Sequence, residues 1–288
     1  MTNKKCVVLF SGGLDSKLAL KIMQQRGFEI VAIFLKLPFL KDNLIEIKEF
    51  LKNEKIKLKI LNCTKGKLLQ EYLEIIRRAE HGRGKGINPC IDCRIFMLKQ
   101  TKKFADKNKI NFIVTGEVTG QRPFSQYKKQ MNLIEKEANL NGRIIRPLID
   151  YENISGRTRK KQINLAKKFK IDSFSFGGGC LLCEKILKNR LKTLLERGLN
   201  EKEVKFIGIG RHFIIDYFWI IIGRNKEENE IIEKSKAGKV LKLKFPAPSA
   251  IITGKYNKEI IEKINELIRA YSKQGSLKDR KKFEKYKL

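Results

Sequence analysis

Nowhere does the 288-residue sequence hold an uninterrupted apolar stretch near the ~18 residues that a membrane helix needs. The longest candidate, 213–222, contains Asp216 and reads as paired strands. The run 6–10, behind Lys4 and Lys5, is too short for the core of a secretion signal. These lacks argue against membrane and secreted classes, so a cytoplasmic protein is expected. Acidic charge is also scarce. Asp and Glu number 31 against 63 Lys and Arg, a net charge of +32. That imbalance implies a nucleic-acid partner, or else a Lys-rich solvated surface of the kind seen in heat-adapted proteins.

What is there points to a folded protein, with hydrophobic residues at 42% of the chain. Four of the six cysteines form two C-x-x-C pairs, Cys90/Cys93 and Cys180/Cys183. In a reducing compartment such pairs point to metal or redox chemistry rather than to disulfides.

Along residues 1–175 short apolar runs alternate with amphipathic stretches. Strands are expected at 6–10, 30–35, 58–61 and 112–115, and helices at 14–25, 44–52, 68–78 and 93–108. This alternation predicts an α/β fold with a doubly wound, mostly parallel sheet whose strand-end loops gather at one edge, where ligands bind. The basic, Gly-rich loop 81–86 is expected to be flexible. A basic helix is expected over 156–170, capped by Ser155 and anchored by Ile163 and Phe169. A helix over 184–197 would end at Gly198. The pattern then changes to strands at 213–215, 219–222, 240–244 and 249–253, with a helix near 227–236. The expected division is a 1–175 α/β domain, a 176–205 cysteine-containing helical connector, a smaller α+β module over 206–256, and a helix with basic tail over 257–288. No convincing internal repeat is present.

The first strand runs into Ser11-Gly12-Gly13-Leu14-Asp15-Ser16, and a helix follows. Gly12 and Gly13 let the backbone turn tightly and approach a ligand with no Cβ in the way. Amides at the helix start then face a phosphate, helped by the helix dipole, with Ser11 and Ser16 adding hydroxyls. Asp15 would repel phosphate unless a cation lay between, which points to Mg²⁺. The turn fits neither the G-x-x-x-x-G-K-S/T loop nor the G-x-G-x-x-G fingerprint. It resembles the SGGxDS signature of the PP-loop ATP pyrophosphatases, whose fold is adenine nucleotide alpha-hydrolase-like. The resemblance implies cleavage of ATP between its α and β phosphates and adenylation of a carbonyl oxygen. It also implies adenine contacts at the backbone of Leu35 and Lys36, after the second strand. Gly116 and Glu117 should sit beside the loop, where Glu117 would hold Mg²⁺, orient the reacting base, or remain a solvated carboxylate.

Cys90 and Cys93 lie in Asn88-Pro89-Cys90-Ile91-Asp92-Cys93-Arg94, where Asn88 would cap a helix and Pro89 would take its first position. The i, i+3 spacing puts both sulfurs on one face of the first turn, where amides and Arg94 favour thiolates. Cys180, after Gly177, Gly178 and Gly179, is expected to open another helix with the same electrostatics. Three such thiolates would suit an iron–sulfur cluster, four would suit Zn²⁺, and a metal-free persulfide and disulfide relay is a third option. Cys6 reads as a buried hydrophobe; Cys63 is ambiguous. A PP-loop followed by C-x-x-C and a distant Cys resembles the iron–sulfur-dependent tRNA thiouridine synthetases. The resemblance implies a 4Fe–4S cluster on Cys90, Cys93 and Cys180 with one iron open to carry sulfide. Cys183 is extra to that pattern and leaves a four-cysteine site or exchanged ligation open. The segment 116–126, with Arg146-Pro147-Leu148, is similar to the MnmA-like and ThiI-like thiouridylases. No S-adenosylmethionine motif accompanies it, so methyl transfer is not expected.

The stretch from Phe218 to Asn229 resembles the small RNA-binding domain of the NFACT proteins. This implies Arg224 on phosphate and Asn225 capping the next helix or touching RNA, with Arg211 and His212 nearby and Trp219 in the core. Together the resemblances imply an ATP-dependent tRNA sulfurtransferase using ATP, Mg²⁺ and a 4Fe–4S cluster. Catalytic roles fall to Asp15, Glu117, Cys90 and Cys180, and tRNA contacts to Arg122, Arg157, Arg159 and Arg224. The partners implied are tRNA and sulfide or a sulfur donor protein, with no membrane and a homodimer left open. Two other readings are kept. One is a PP-loop ligase adenylating a small molecule, which the charge and the lack of a glutaminase-like domain disfavour. The other is a non-enzymatic RNA-binding or redox-sensing protein on the same fold.

Overall fold

A computed structural model describes residues 4–41, 43–122, 124–174 and 179–288. Pro123 and the glycines at 177 and 178, which the sequence reading used, lie outside the described residues. The chain forms two compact units, Met1–Lys185 and Ile186–Leu288.

The first unit runs β1 Lys5–Leu9, α1 Leu14–Gln25, β2 Glu29–Lys36, α2 Leu44–Asn53, β3 Lys57–Asn62, α3 Gly66–Arg78, α4 Cys90–Lys107, β4 Phe112–Thr115, α5 Lys128–Glu137, β5 Ile144–Ile145, α6 Pro147–Asp150 and α7 Lys160–Lys168. Its five strands form one parallel sheet in the order β3-β2-β1-β4-β5. The expected doubly wound parallel sheet is therefore present. Strand β1 sits at its centre because every residue from Cys6 to Phe10 is apolar and buried. Cys6, Val8 and Phe10 pack with Ala19, Leu20 and Met23 of α1 and with Ile47 and Leu51 of α2. Val7 and Leu9 point the opposite way and are buried too, and α4 packs on β1 and β4. A strand covered on both faces needs such a continuous apolar run. The chain leaves β1 toward β2 on one side and returns to β4 on the other. The loops after β1 and β4 thus meet at the point where the strand order reverses, the usual ligand position in open α/β sheets.

The 156–170 segment differs from expectation. Ser155 pairs with Thr119 in an isolated bridge, and Gly156 N donates to the Thr119 carbonyl at 2.7 Å. Helix α7 therefore starts only at Lys160, with Arg159 as an N-cap that makes no side-chain capping bond. Gln162 and Ala166 are its buried residues, while Ile163 and Phe169 are only half-buried. The loop 81–86, expected to be flexible, is tied down. Arg83 donates to the Ile87 and Arg77 carbonyls, both at 2.9 Å, and His81 Nδ1 pairs with Asp92 at 2.8 Å.

The second unit comprises α8 Lys188–Arg197, β6 Arg211–Ile215, β7 Phe218–Ile222, α9 Lys226–Glu233, β8 Gly238–Leu241, β9 Ala250–Thr253, α10 Lys258–Tyr271 and α11 Leu277–Lys281. Helix α8 starts at Lys188 rather than 184 and ends at Gly198, whose φ of 87° suits glycine alone. The four strands form an antiparallel sheet, β6-β7-β9-β8. Helix α10 lays Ile260, Ile264, Leu267 and Ile268 on Phe213, Ile220 and Ile252, so it belongs to the same core as the sheet. Full burial of each such side chain stabilises by about 1.5–3 kcal/mol. Asn257 caps this helix by accepting from Ile260 N at 2.9 Å. The tail after it is not featureless. Ser276 and Asp279 form a reciprocal capping box that starts α11.

Candidate active site

The turn after β1 is built by tight local contacts. Gly12 has φ +78°, and a Cβ there would stand 2.7 Å from Ile47 Cγ1 and 2.9 Å from Asn43 Nδ2. Gly13 is the extended N-cap of α1. Asn43 Nδ2 donates to the Ser11 carbonyl at 3.0 Å. Ser16 Oγ donates to the Gly13 carbonyl at 2.8 Å and accepts from Ser11 N at 3.3 Å. The Ser16 hydroxyl thus holds the turn closed instead of being a free phosphate donor. Gly116, after β4, lies against the same helix start. A Cβ on it would come 2.6 Å from the Asp15 carbonyl carbon. Leu35 is buried and, like Lys36, lies inside β2 rather than after it; the Lys36 carbonyl accepts from Cys63 N at 2.9 Å.

Asp15 faces the loop from the first turn of α1. Its Oδ2 accepts from Gln121 Nε2 at 2.7 Å and lies 3.7 Å from Arg159 NH1. Gln121 Oε1 accepts in turn from Gln162 Nε2 at 3.0 Å, and Gln162 is fully buried on α7. Asp15 Oδ1 is buried with no hydrogen-bond partner among the described residues. A buried, unsatisfied carboxylate oxygen beside a phosphate loop fits a cation such as Mg²⁺. Arg159 is thereby drawn to Asp15, whereas Arg157 and Arg122 are exposed.

Glu117 is buried, so it is not a solvated loop carboxylate. Thr115 Oγ1 donates to it at 2.9 Å, Arg94 Nε at 2.9 Å and Arg146 Nε at 3.1 Å. Burial pushes its carboxyl up, but the Arg94 and Arg146 guanidiniums outweigh that and hold it below the usual range. Arg146 also reaches Glu135 of α5 at 2.9 Å. Glu117 therefore ties the loop after β4 to α4 and α5, with both oxygens engaged.

The paired cysteines come together from separate segments. Cys90 and Cys93 start α4 behind the N-cap Pro89, which makes no side-chain capping bond. Asn88 does not cap the helix; its Nδ2 donates to Cys90 Sγ at 3.0 Å. Cys180 does not open a helix. It is extended and bridges Leu40, and only a 3₁₀ turn, Leu181–Cys183, follows. Leu181 N donates to the Phe39 carbonyl and Ile87 N to the Leu182 carbonyl, locking this segment between two others. Cys183 lies close enough to Cys180 and Cys90 for the three thiols to influence one another's charge. The Tyr72 hydroxyl lies 3.4 Å from Cys93 Sγ.

Helix-start electrostatics do not decide the thiol charges. Desolvation pushes Cys93 up to about 11 and raises Cys90 as well. Cys180 is lowered, chiefly by the neighbouring Cys183 thiol, which is itself raised. The charge on Arg122 favours thiolates at Cys90 and Cys183. All six cysteines are free. Among the described residues no three His, Cys, Asp or Glu side chains stand as a metal-holding set. The four thiols are the donor chemistry that iron or zinc takes; the hydrogen bonds they make here are from Asn88 to Cys90 and between Tyr72 and Cys93. Cys6 and Cys63 are both fully buried.

In the second unit Trp219 is in the core, as expected. His212 is not at the surface. It is fully buried, accepts from Trp219 Nε1 at 3.1 Å and donates from Nε2 to the Ile209 carbonyl at 2.7 Å. Asn225 caps α9 by accepting from Glu228 N at 2.9 Å. Arg224 is held by Glu228, with Nε 3.0 Å from Oε1, and by the Gly208 carbonyl at 3.1 Å. Gln121, Gln162 and Tyr72 were given no role from sequence. A buried Gln or Tyr has no motif of its own; the one cue is Gln162 standing four residues before Ala166 on the inward face of α7.

A central parallel strand delivering Ser-Gly-Gly-Leu-Asp-Ser to a helix start defines a protein of the PP-loop class. Residues 1–189 match the family described as thiamine biosynthesis protein (ThiI), and residues 210–284 match the NFACT protein RNA binding domain. The chain belongs to the ThiI family, within the ThiI- and MnmA-like tRNA sulfurtransferases, and carries an NFACT-R-like C-terminal domain. It is 27% identical over 172 residues to a tRNA-specific 2-thiouridylase MnmA of Nitratiruptor sp., covering 55% of this chain and 50% of that protein. It is 31% identical over 174 residues to a probable tRNA sulfurtransferase of Thermoanaerobacter sp., covering 58% and 41%. The chain thus spans about half the length of these curated relatives, or less. A solved 4-thiouridine synthetase–RNA complex with bound ATP aligns at 20% identity and a TM-score of 0.47, over 70% of this chain and 53% of that one. No described helix is long and apolar enough to cross a membrane.

Proposed function

We propose that the chain is an ATP-dependent tRNA sulfurtransferase that replaces a uridine carbonyl oxygen with sulfur. The observation that carries this is one domain holding both a PP-loop with an orphaned carboxylate oxygen, Asp15 Oδ1, and two free C-x-x-C pairs on segments that are hydrogen-bonded to each other. The loop amides and Gly12 receive the triphosphate, and Asp15 is the residue that would hold Mg²⁺. The uridine oxygen attacks the α phosphorus, the bond to the β phosphate breaks, and pyrophosphate leaves. A sulfur nucleophile then adds to the activated ring carbon, and AMP departs with the original oxygen. Arg122, beside Cys90 and Cys183, and exposed Arg157 are suited to guide the tRNA backbone. The NFACT-R-like unit adds a second RNA contact. Cys90, Cys93 and Cys180 would hold a 4Fe–4S cluster, with Cys183 as alternate or fourth ligand; when bound it supplies sulfide to the reaction.

A second reading rests on the placement of Cys180 and Cys183 at the two ends of one short 3₁₀ turn, which suits a metal-free relay. A donor protein's persulfide would pass its outer sulfur to the Cys180 thiolate; that sulfur would displace AMP from the activated ring carbon, Cys183 would then close a disulfide with Cys180 and release the thiouridine, and a dithiol reductant would reopen the disulfide. Protein purified without oxygen, given ATP, Mg²⁺, sulfide and unmodified tRNA, should form thiouridine by mass spectrometry. Asp15→Ala should lose pyrophosphate release and keep any bound iron, and Cys90→Ala should do the reverse. No ATP-dependent thiouridine from folded protein overturns the proposal, and the iron content of active protein decides between the two sulfur chemistries.

A further inference from the structure

Arg224, the arginine that sequence resemblance offers to RNA in the second unit, has its guanidinium neutralised by Glu228. Uncompensated positive charge in this unit collects elsewhere. A groove of about 590 Å³ opens between β6, the end of α10 and α11. Arg211 and Arg280 lie 5.1 and 5.4 Å from the centre of the Tyr271 ring, presenting two guanidiniums around one aromatic. Lys278 and Lys281 line the same groove from α11, and neither has a carboxylate partner among the described residues. Among the described residues Arg211 and Arg280 bond only backbone carbonyls, of Gly223 at 3.4 Å and Ala270 at 3.0 Å. The one acidic lining residue, Glu284, is already paired with Lys287 at 2.8 Å.

We infer that this groove is the surface by which the second unit grips the sugar–phosphate backbone of RNA. The inference rests on the tRNA reading above and gives it a place. Four cations without carboxylate partners favour a run of phosphates over a single small anion. The guanidiniums at Tyr271 keep donor edges for phosphate oxygens, as arginines do in backbone recognition. The capping box of Ser276 and Asp279 fixes α11, so Lys278 and Lys281 are presented by an ordered turn.

The test is tRNA binding by the full-length chain over a salt series. Lys278→Ala/Lys281→Ala should weaken binding at least about fivefold near 0.1 M salt and flatten the log K against log[salt] slope by about 0.7–0.9 per lysine. The Lys278→Arg/Lys281→Arg pair should restore both. Lys263→Ala, which removes a lysine already paired with Asp216 and Glu259, should change neither. Groove variants that bind tRNA like the wild type overturn the inference, as does a slope that falls only with Arg224→Gln. Loss of binding to phosphatidylserine vesicles with tRNA binding intact overturns it in favour of a membrane surface. If the wild-type chain binds tRNA through the groove and makes no thiouridine, the groove stands and the sulfurtransferase reading falls.

Discussion

Gln121 Nε2 stands 2.7 Å from Asp15 Oδ2, joining residues 106 positions apart at the mouth of the phosphate loop. Behind it, Gln162 fixes the Gln121 amide so that its NH₂ faces the carboxylate. Replacing Gln121 with Ala removes a hydrogen bond to a charged group, worth about 1.5–3 kcal/mol. ATP-dependent pyrophosphate release should drop about tenfold or more while the circular dichroism spectrum is unchanged. An unaltered rate would mean that Asp15 is oriented without this amide.

Glu117 joins Arg94 and Arg146 beneath the loop. Glu117→Gln leaves Arg94, largely shielded from water, without its counter-charge, and leaves Arg146 with Glu135 alone. Removing one partner of a buried pair costs about 3–5 kcal/mol; the partial exposure of both arginines puts the expected loss at the low end. Denaturant unfolding should show it as a lower midpoint, and a shift under about 0.5 kcal/mol would show that the pair adds little.

Thiol chemistry should divide the cysteines by position. Cys6 in β1 and Cys63 after β3 are both fully enclosed, so access of the reagent, and not thiol charge, separates them from Cys183. Native protein treated with a maleimide and digested for mass mapping should carry label on exposed Cys183 well before Cys6 or Cys63. Early labelling at Cys6 would mean that the central strand opens readily.

His212 predicts an acid limit for the second unit. Burial, and then the nearby Arg190 charge, lowers it to about 3 from an ordinary 6.5. Between those values the unfolded chain binds a proton that the folded unit refuses. Stability is therefore full above about pH 6.5 and falls below it by about 1.4 kcal/mol per pH unit. The chain has one Trp, and it touches His212, so its fluorescence reports this unit. Unfolding free energy should fall by about 2 kcal/mol from pH 6.5 to pH 5, and His212→Gln should flatten that dependence. Parallel curves for both proteins would remove His212 as the cause.

The sheet was legible in the sequence because β1, β2 and β4 are apolar runs of strand length, and α1 follows its predicted limits. Helix α5 was not, since it buries only Met131 and Ile134 in an otherwise charged stretch. Strand β5 is two residues long and is defined only by pairing with β4. The tight turn after β1 was readable from its glycines, whose need is local. The cysteine segment misled because residues 180–182 are held by distant partners, Leu40, Phe39 and Ile87, which local sequence does not show. The Arg224–Glu228 pair was visible at i, i+4 spacing and should have warned that this guanidinium is occupied.

The sulfur-bearing corner draws on the loop before α2, the start of α4 and the stretch at 179–183, and Gly86 has no room for a side chain beside the Leu182 carbonyl. On the ribosome, then, the sheet and its loop can be complete while half of the paired thiols are still unmade. Cys90 and Cys93 must wait for roughly ninety further residues to emerge before their counterparts arrive. A chain cut short before residue 180 would keep the residues of the turn after β1 and lack Cys180 and Cys183 altogether.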